Sequence, residues 1–94
     1  MAVGIRIKLA GVDQAQFDKV NDLILAQGPE PSGMIFHSSG PIDEGWGIID
    51  FWESRGDFDA FFGGRVQAAV AEAGVEMQGA PDIKEFPVHE FVKS

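Results

Sequence analysis

Two histidines, one aspartate and one arginine are the residues of this 94-residue chain best suited to acid–base chemistry. An imidazole with an ordinary pKa of about 6.5 exchanges protons readily near neutral pH, which favours His37 and His89. Asp50 stands between apolar neighbours, where an ionised carboxylate needs a partner. Arg6, on the polar side of a neighbouring predicted strand, is the expected partner. We therefore predict His37, Asp50 and Arg6 as catalytic residues.

Two tryptophans could form the walls of a site for an aromatic ligand, because their rings are flat and apolar. The predicted ligand-binding residues are Trp46, Trp52, Ile48 and His89. Each has a structural alternative. The tryptophans could pack in a dimer interface, the histidines could be hydrogen-bonded strand residues, and Asp50 could belong to a structural ion pair. Arg6, with Lys8, could instead hold an anionic substrate group or polarise bound dioxygen.

The composition excludes several classes of function. Fifteen acidic against seven basic residues give a net charge of −8, which disfavours nucleic acid and anionic membranes as partners. The chain has no cysteine, and it matches no metal-binding, calcium-loop or Ser-His-Asp pattern. We expect no metal, no cofactor, no signal peptide and no membrane span, and hence a cytoplasmic protein with one domain over residues 1–94.

The first half of the chain predicts a strand, a helix and a hairpin. Apolar residues alternate over 3–9, as in a strand with one buried face. Asp13 is a helix N-cap with Gln16 as its capping-box partner, so a helix is expected over 13–27. Strands are expected over 34–38 and 46–52, with a turn signal at Gly40-Pro41 between them.

The second half predicts a long helix and a last strand. Ser54 is the expected N-cap, with Asp57 completing its capping box, and Gly74 closes the helix. An apolar stripe at helical spacing follows the cap: Phe58, Phe61, Phe62, Val66, Ala69, Val70 and Ala73. Gly63-Gly64 interrupts this stripe, which indicates either a bend or a close packing partner. The last strand is expected over about 82–92.

This order of elements predicts an α+β, ferredoxin-like βαββαβ fold: a four-stranded antiparallel sheet with two helices on one face. We expect Gly47, Ile49 and Phe51 to face the helices. The residues expected on the open face are Trp46, Ile48, Asp50 and Trp52. A hairpin centred near Pro41-Ile42 would place His37 opposite Trp46. Because exposed tryptophans make a large apolar patch, we predict a homodimer that pairs through the open face.

The segment Trp52-Glu53-Ser54, followed by Phe58-Asp59-Ala60-Phe61-Phe62 at a strand-to-helix junction, resembles the dimeric α/β-barrel superfamily. The nearest branch is the antibiotic-biosynthesis-monooxygenase-like proteins. The resemblance implies a homodimeric barrel with small-molecule pockets and, in some members, oxygenation without a cofactor, with Trp52 lining the pocket. Haem-degrading members carry a tryptophan and a histidine on the second helix. The corresponding positions here are Phe61 and Ala71, so that activity is disfavoured.

Two main hypotheses of function follow. The first is an enzyme that binds a small hydrophobic, aromatic or polyketide-like molecule, removes a phenolic proton with His37 or Asp50, and lets the anion react with dioxygen while Arg6 stabilises negative charge. The second is a non-catalytic ligand-binding or dimerisation module. A regulatory ferredoxin-like domain of the amino-acid-sensing type is a third, weaker alternative.

Overall fold

The computed structural model describes residues 2–76 and 79–92 and contains one antiparallel sheet under a helical layer. The elements are β1 (Val3–Ala10), α1 (Gln14–Ala26), β2 (Met34–Ile42), β3 (Gly45–Trp52), α2 (Arg55–Phe61), α3 (Gln67–Ala73) and β4 (Asp82–Pro87). A π-helical segment, Phe62–Val66, joins α2 to α3. Within the described residues the strand order is β2-β3-β1-β4. The predicted ferredoxin-like fold is confirmed.

Side-chain caps fix where the helices begin. Asp13 accepts a hydrogen bond from the backbone N–H of Gln16 at 2.9 Å, and the Gln16 side chain accepts one from the backbone N–H of Asp13 at 3.0 Å. This is the predicted capping box. Ser54 caps α2 by accepting from the N–H of Asp57. The Asp57 carboxylate accepts from the Ser54 hydroxyl at 3.0 Å, so it does not complete the second box that was predicted.

Gly63-Gly64 lies within the π-helical segment. Neither glycine has a positive φ, and a Cβ at either position would meet nothing within 4 Å. The pair is therefore not there to admit a close packing partner, which was one of the two expectations. The helix instead widens locally, and it ends at Gly74 in the left-handed conformation, as predicted.

The face assignment of β3 predicted from the sequence was wrong. Pairing places Val3 opposite Trp52, Ile5 opposite Asp50, Ile7 opposite Ile48 and Leu9 opposite Trp46. Directly paired residues share a face, so the tryptophans, Ile48 and Asp50 lie on the helix side with the aliphatic face of β1. Aromatic side chains from the helices cover them. Phe17 stacks on Trp46 at 5.0 Å between ring centroids, and Phe58 and Phe61 contact Trp52 at 5.9 and 5.4 Å.

The predicted hairpin register was also wrong. The turn lies at Asp43-Glu44, β2 runs on through Gly40-Pro41, and His37 pairs with Asp50 instead of Trp46. Proline is tolerated within β2 because this is an edge strand, where a missing N–H costs no ladder bond. Gly45 fixes the turn: its φ is 157°, and a Cβ there would collide with the carbonyl oxygen of Leu9.

The open face of the sheet carries a phenylalanine cluster. Phe51 lies at its centre, with ring centroids 6.3 Å from Phe36, 6.3 Å from Phe86 and 5.6 Å from Phe91. Phe36, Phe86 and Phe91 are each about half exposed, as is Ile49 on the same face. Phe91 follows β4, which ends at Pro87 and is shorter than the strand expected over 82–92. The apolar open face predicted from the sequence exists, but phenylalanines form it.

None of the helices in the described ranges has the length and apolar content that would let it cross a membrane.

Candidate functional site

A cavity of about 490 Å³ lies between the helix-facing side of the sheet and the helices. Ile7 and Ile48 form part of its floor on the central strands, and Phe17, Phe58 and Phe62 form part of its helical wall. Its exposed lining residues lie at the end of α1, in the segment 28–30, along the start of β2 and, with Gln67, at the start of α3. The cavity is thus a mainly apolar pocket that opens beside the β2 edge.

His37 and Asp50 form an acid–base pair in the wall of this pocket. Nδ1 of His37 and Oδ1 of Asp50 are 2.6 Å apart across the paired strands β2 and β3. The Asp50 side chain is 4% exposed and that of His37 is 37% exposed. The carboxylate is therefore the buried member, and the imidazole is the member that a ligand can reach. The bond uses Nδ1 and leaves Nε2 for that ligand.

The pKa of His37 is raised above its ordinary value of 6.5. The main cause is the hydrogen bond to Asp50, and the negative charge of Asp50 adds to it, while partial burial of the ring acts in the opposite direction. His37 is therefore a stronger base than a free imidazole. Asp50 also holds the ring in one orientation, as a carboxylate does for a catalytic histidine.

Few other polar side chains line the pocket. Gln16 and Asn21 come from α1, Gln67 from α3 and Arg65 from the π-helical segment, while Glu30 lies at the mouth. The amides can donate to or accept from a hydroxyl or carbonyl group of a ligand. Arg65 is the cation among the lining residues, and its guanidinium already donates to backbone carbonyl oxygens. The pocket therefore suits a neutral ligand.

The structure brings together some of the residues predicted for the site. His37, Asp50 and Ile48 line the pocket. Trp46 and Trp52 share the same face of the sheet, but their rings are buried in the core behind the pocket lining. In this position they support the wall through the aromatic side chains that contact them.

Arg6 and His89 lie outside the pocket. Arg6 is on the open face, where its guanidinium donates to Asp82 at 3.3 Å. The prediction of an ion pair between Arg6 and Asp50 is wrong, because the two side chains project from opposite faces of the sheet. His89 is an exposed residue beyond the end of β4.

Sequence reasoning did not single out Arg65 as a pocket residue. The available signal was Gly63-Gly64, since a glycine pair inside a helical pattern marks a place where the helix can widen, and π-helical turns are frequent at functional sites. Within residues 2–76 and 79–92, no three His, Asp or Glu side chains cluster closely enough to hold a metal ion.

Comparison of the fold with known structures gives confident matches, although no protein-family model and no curated protein matches the sequence. An antibiotic biosynthesis monooxygenase assigned in Caulobacter crescentus is 21% identical, with a TM-score of 0.68 over 95% of this chain and 91% of that one. SnoaB, a cofactor-independent oxygenase from Streptomyces nogalater, is 10% identical, with a TM-score of 0.64 over 99% and 97%.

A dimeric ferredoxin-like protein of unknown function from Thermobifida fusca is 12% identical, with a TM-score of 0.67 over 94% of this chain and 92% of that chain. These likenesses extend over nearly the whole chain at low sequence identity. They show that the chain shares the fold of these proteins, which is the fold that the resemblance to the antibiotic-biosynthesis-monooxygenase-like proteins implied.

Proposed function

We propose that this protein binds a neutral aromatic molecule of the phenol or anthrone type and oxidises it with dioxygen. The observation that carries the proposal is the His37–Asp50 pair, with a contact of 2.6 Å, in the wall of an otherwise mainly apolar pocket. A buried carboxylate that orients a reachable imidazole is an arrangement suited to general-base catalysis. The cofactor-independent oxygenase with the same fold gives further support.

The pocket supports this class of substrate. Its volume of about 490 Å³ lies in the range of sites for small organic molecules. Phenylalanine rings in its lining can stack on an aromatic ligand. The net charge of −8 and Glu30 at the mouth disfavour an anion, while the amides can orient a hydroxyl or carbonyl group.

In the proposed mechanism, neutral His37 removes an acidic proton of the substrate through Nε2. The resulting imidazolium is stabilised by Asp50 and lies beside the electron-rich substrate anion, whose charge it offsets. The anion transfers an electron to dioxygen, the substrate radical and superoxide combine to a peroxide anion, and the imidazolium returns its proton to give the hydroperoxide and neutral His37. Arg6 has no part in this mechanism, because it lies on the other face of the sheet.

The electrons balance without an external reductant. In an anthrone, a CH₂ group becomes a carbonyl group: the substrate loses four electrons and two hydrogen atoms, and it gains one oxygen atom. The hydroperoxide releases the second oxygen atom of dioxygen as water, with those two hydrogens. Because the substrate itself supplies all four electrons, the proposed reaction requires no cofactor.

We also propose that the protein is a homodimer that packs through the phenylalanine cluster of the open face. The cluster is apolar, its outer rings are half exposed, and it is formed by residues of β2, β3 and β4 and of the segment after β4, with Gly4 of β1 between Phe51 and Phe86. A second copy of the same face would bury it, and the dimeric protein of the same fold supports this assembly.

Oxygen uptake with dithranol, a hydroxylated anthrone, tests the proposal. The protein is expected to accelerate consumption of dioxygen above the buffer rate, with one dioxygen consumed for each anthraquinone formed. His37→Gln should reduce the accelerated rate by about 100-fold, the usual contribution of a general base. His89→Gln is the matched control, because it removes the other histidine of the chain outside the pocket, and its rate should equal that of the wild type.

Equal rates for the wild type and His37→Gln would overturn the assignment of His37. Saturable dithranol binding without any acceleration of oxygen uptake would contradict the oxygenase and support the non-catalytic ligand-binding protein. Binding is measured by isothermal titration under anaerobic conditions, which separates the two outcomes.

A further inference from the structure

Arg65 joins the π-helical segment to the end of α1 across one side of the pocket. Its NH2 group donates to the carbonyl oxygens of Ile24 at 3.1 Å and Gly28 at 3.2 Å, and its NH1 group donates to that of Pro29 at 2.8 Å. In return, the side-chain amide of Gln27 donates to the carbonyl oxygen of Arg65 at 3.1 Å. Four hydrogen bonds thus connect Arg65 to the residues at and just after the end of α1.

These bonds hold a part of the chain whose other hydrogen bonds, among the described residues, are two long backbone bonds of 3.4 Å, from the N–H of Gly28 to Leu25 and from the N–H of Met34 to Pro31. The segment 28–31 contains two prolines, which lack an N–H, and residues 28–30 are exposed. It nevertheless lines the mouth of the pocket. Arg65 supplies donors to carbonyl groups near the end of α1, where a cation is also favoured by the helix dipole. Within the part of the chain that the structure describes, the side-chain hydrogen bonds to the segment 28–31 all come from Arg65.

The mouth is also linked to the strand that carries His37. The N–H of Met34 donates to the carbonyl oxygen of Pro31 at 3.4 Å, and β2 begins at Met34. A shift of the segment 28–31 would consequently change the entrance between this segment and the exposed start of β2. The acid–base pair itself would keep its geometry, since ladder pairing between β2 and β3 holds it.

We propose that Arg65 is a positioning residue that sets the width of the pocket mouth and thereby the affinity for the ligand. The guanidinium acts through the backbone of the segment 28–31, and its contact with the ligand is not required. The inference rests on the proposed function only in that the pocket takes an apolar ligand. It holds equally for a catalyst and for a binding protein.

The test compares Arg65→Met with Arg55→Met. Methionine keeps an unbranched apolar side chain over the ring of Phe61 but removes the donors. Arg55→Met is the matched control, because Arg55 forms ion pairs with Asp59 and Glu85 outside the pocket. The readouts are hydrogen exchange of the Gly28 and Met34 amides, and binding of the neutral fluorescent probe N-phenyl-1-naphthylamine.

Arg65→Met should raise the exchange rates of both amides and weaken binding of the probe by about tenfold, whereas Arg55→Met should change neither. The pKa of His37, followed by NMR, should stay unchanged in both variants. Unchanged exchange and unchanged probe affinity in Arg65→Met would overturn the proposal. A shift of the His37 pKa would also contradict it, because the effect would then extend to the acid–base pair.

A second variant keeps the test decisive if Arg65→Met does not fold. Gln27→Ala removes only the returning hydrogen bond from an exposed residue, so it should raise exchange at Gly28 and Met34 to a smaller extent. No change in Gln27→Ala would then count against the proposal. A loss of dithranol oxidation in His37→Gln without loss of probe binding, by contrast, tests the proposed chemistry and leaves the role of Arg65 standing.

Discussion

His37 and Asp50 face each other across the β2–β3 ladder, with Nδ1 and Oδ1 2.6 Å apart, on the side of the sheet that the helices cover. One member is buried and the other is partly exposed, which is the arrangement that the proposed proton transfer from a bound molecule needs. This contact links the fold to the proposed chemistry.

Asp50→Asn should lower the pKa of His37. The hydrogen bond and charge of Asp50 raise that pKa, while burial lowers it, so the substitution removes the negative charge and weakens the hydrogen bond. We expect the pKa of His37 to fall in the variant from its raised value in the wild type. NMR titration of the imidazole Cε1–H signals measures this, with the His89 signal as internal control. An unchanged His37 titration would contradict the contact.

The same pair makes the stability of the protein depend on pH. The pKa of His37 is higher in the folded protein than its ordinary value of 6.5, so protonation favours the folded state. This contribution is complete below pH 6.5 and is lost as the pH rises through the folded-state pKa. The difference in the free energy of unfolding between the wild type and His37→Gln should shrink across that interval. Urea denaturation at a series of pH values measures it, and a constant difference would contradict the prediction.

Phe51→Asp should convert the proposed dimer into a monomer. The substitution places a charge at the centre of the phenylalanine cluster, where burial against a second copy would leave it unpaired. Ala60→Asp, at an exposed position on α2, is the matched control and should remain a dimer. Sedimentation velocity measures the mass of both. A wild-type protein that sediments as a monomer would refute the interface.

Gly63→Ala should stabilise the protein by about 0.5–1 kcal/mol, because alanine is the better helix former and a Cβ there meets nothing within 4 Å. Gly45→Ala is the contrasting variant, since its Cβ would collide with the carbonyl oxygen of Leu9. It should destabilise the protein. Urea denaturation at constant pH measures both changes in the free energy of unfolding. Destabilisation by Gly63→Ala would mean that the glycine is required by the π-helical geometry.

Local signals in the sequence predicted the elements well. The alternation of β1, the capping box of Asp13 and Gln16, the Ser54 cap and the end of the helix at Gly74 each depend on near neighbours in the chain. Such features are visible without knowledge of the tertiary structure, and they were enough to predict the fold.

The faces of β3 could not be predicted in the same way, because both are apolar. One face carries Trp46 and Trp52, and the other carries Ile49 and Phe51. The strand therefore shows no alternation of apolar and polar residues that would identify its buried side. The register of the hairpin depends on Gly45, whose backbone conformation the strand pattern does not reveal. An error in these two long-range features placed Asp50 beside Arg6 instead of His37.

The pH dependence of dithranol oxidation tests the central claim, that His37 and Asp50 act together as the base, most directly. For the wild type, kcat/KM should rise with pH through a midpoint above 6.5, as His37 loses its proton. For Asp50→Asn, the midpoint should move to lower pH, and the plateau should fall by about 100-fold. Identical profiles for the two proteins, in midpoint and in plateau, would contradict the account.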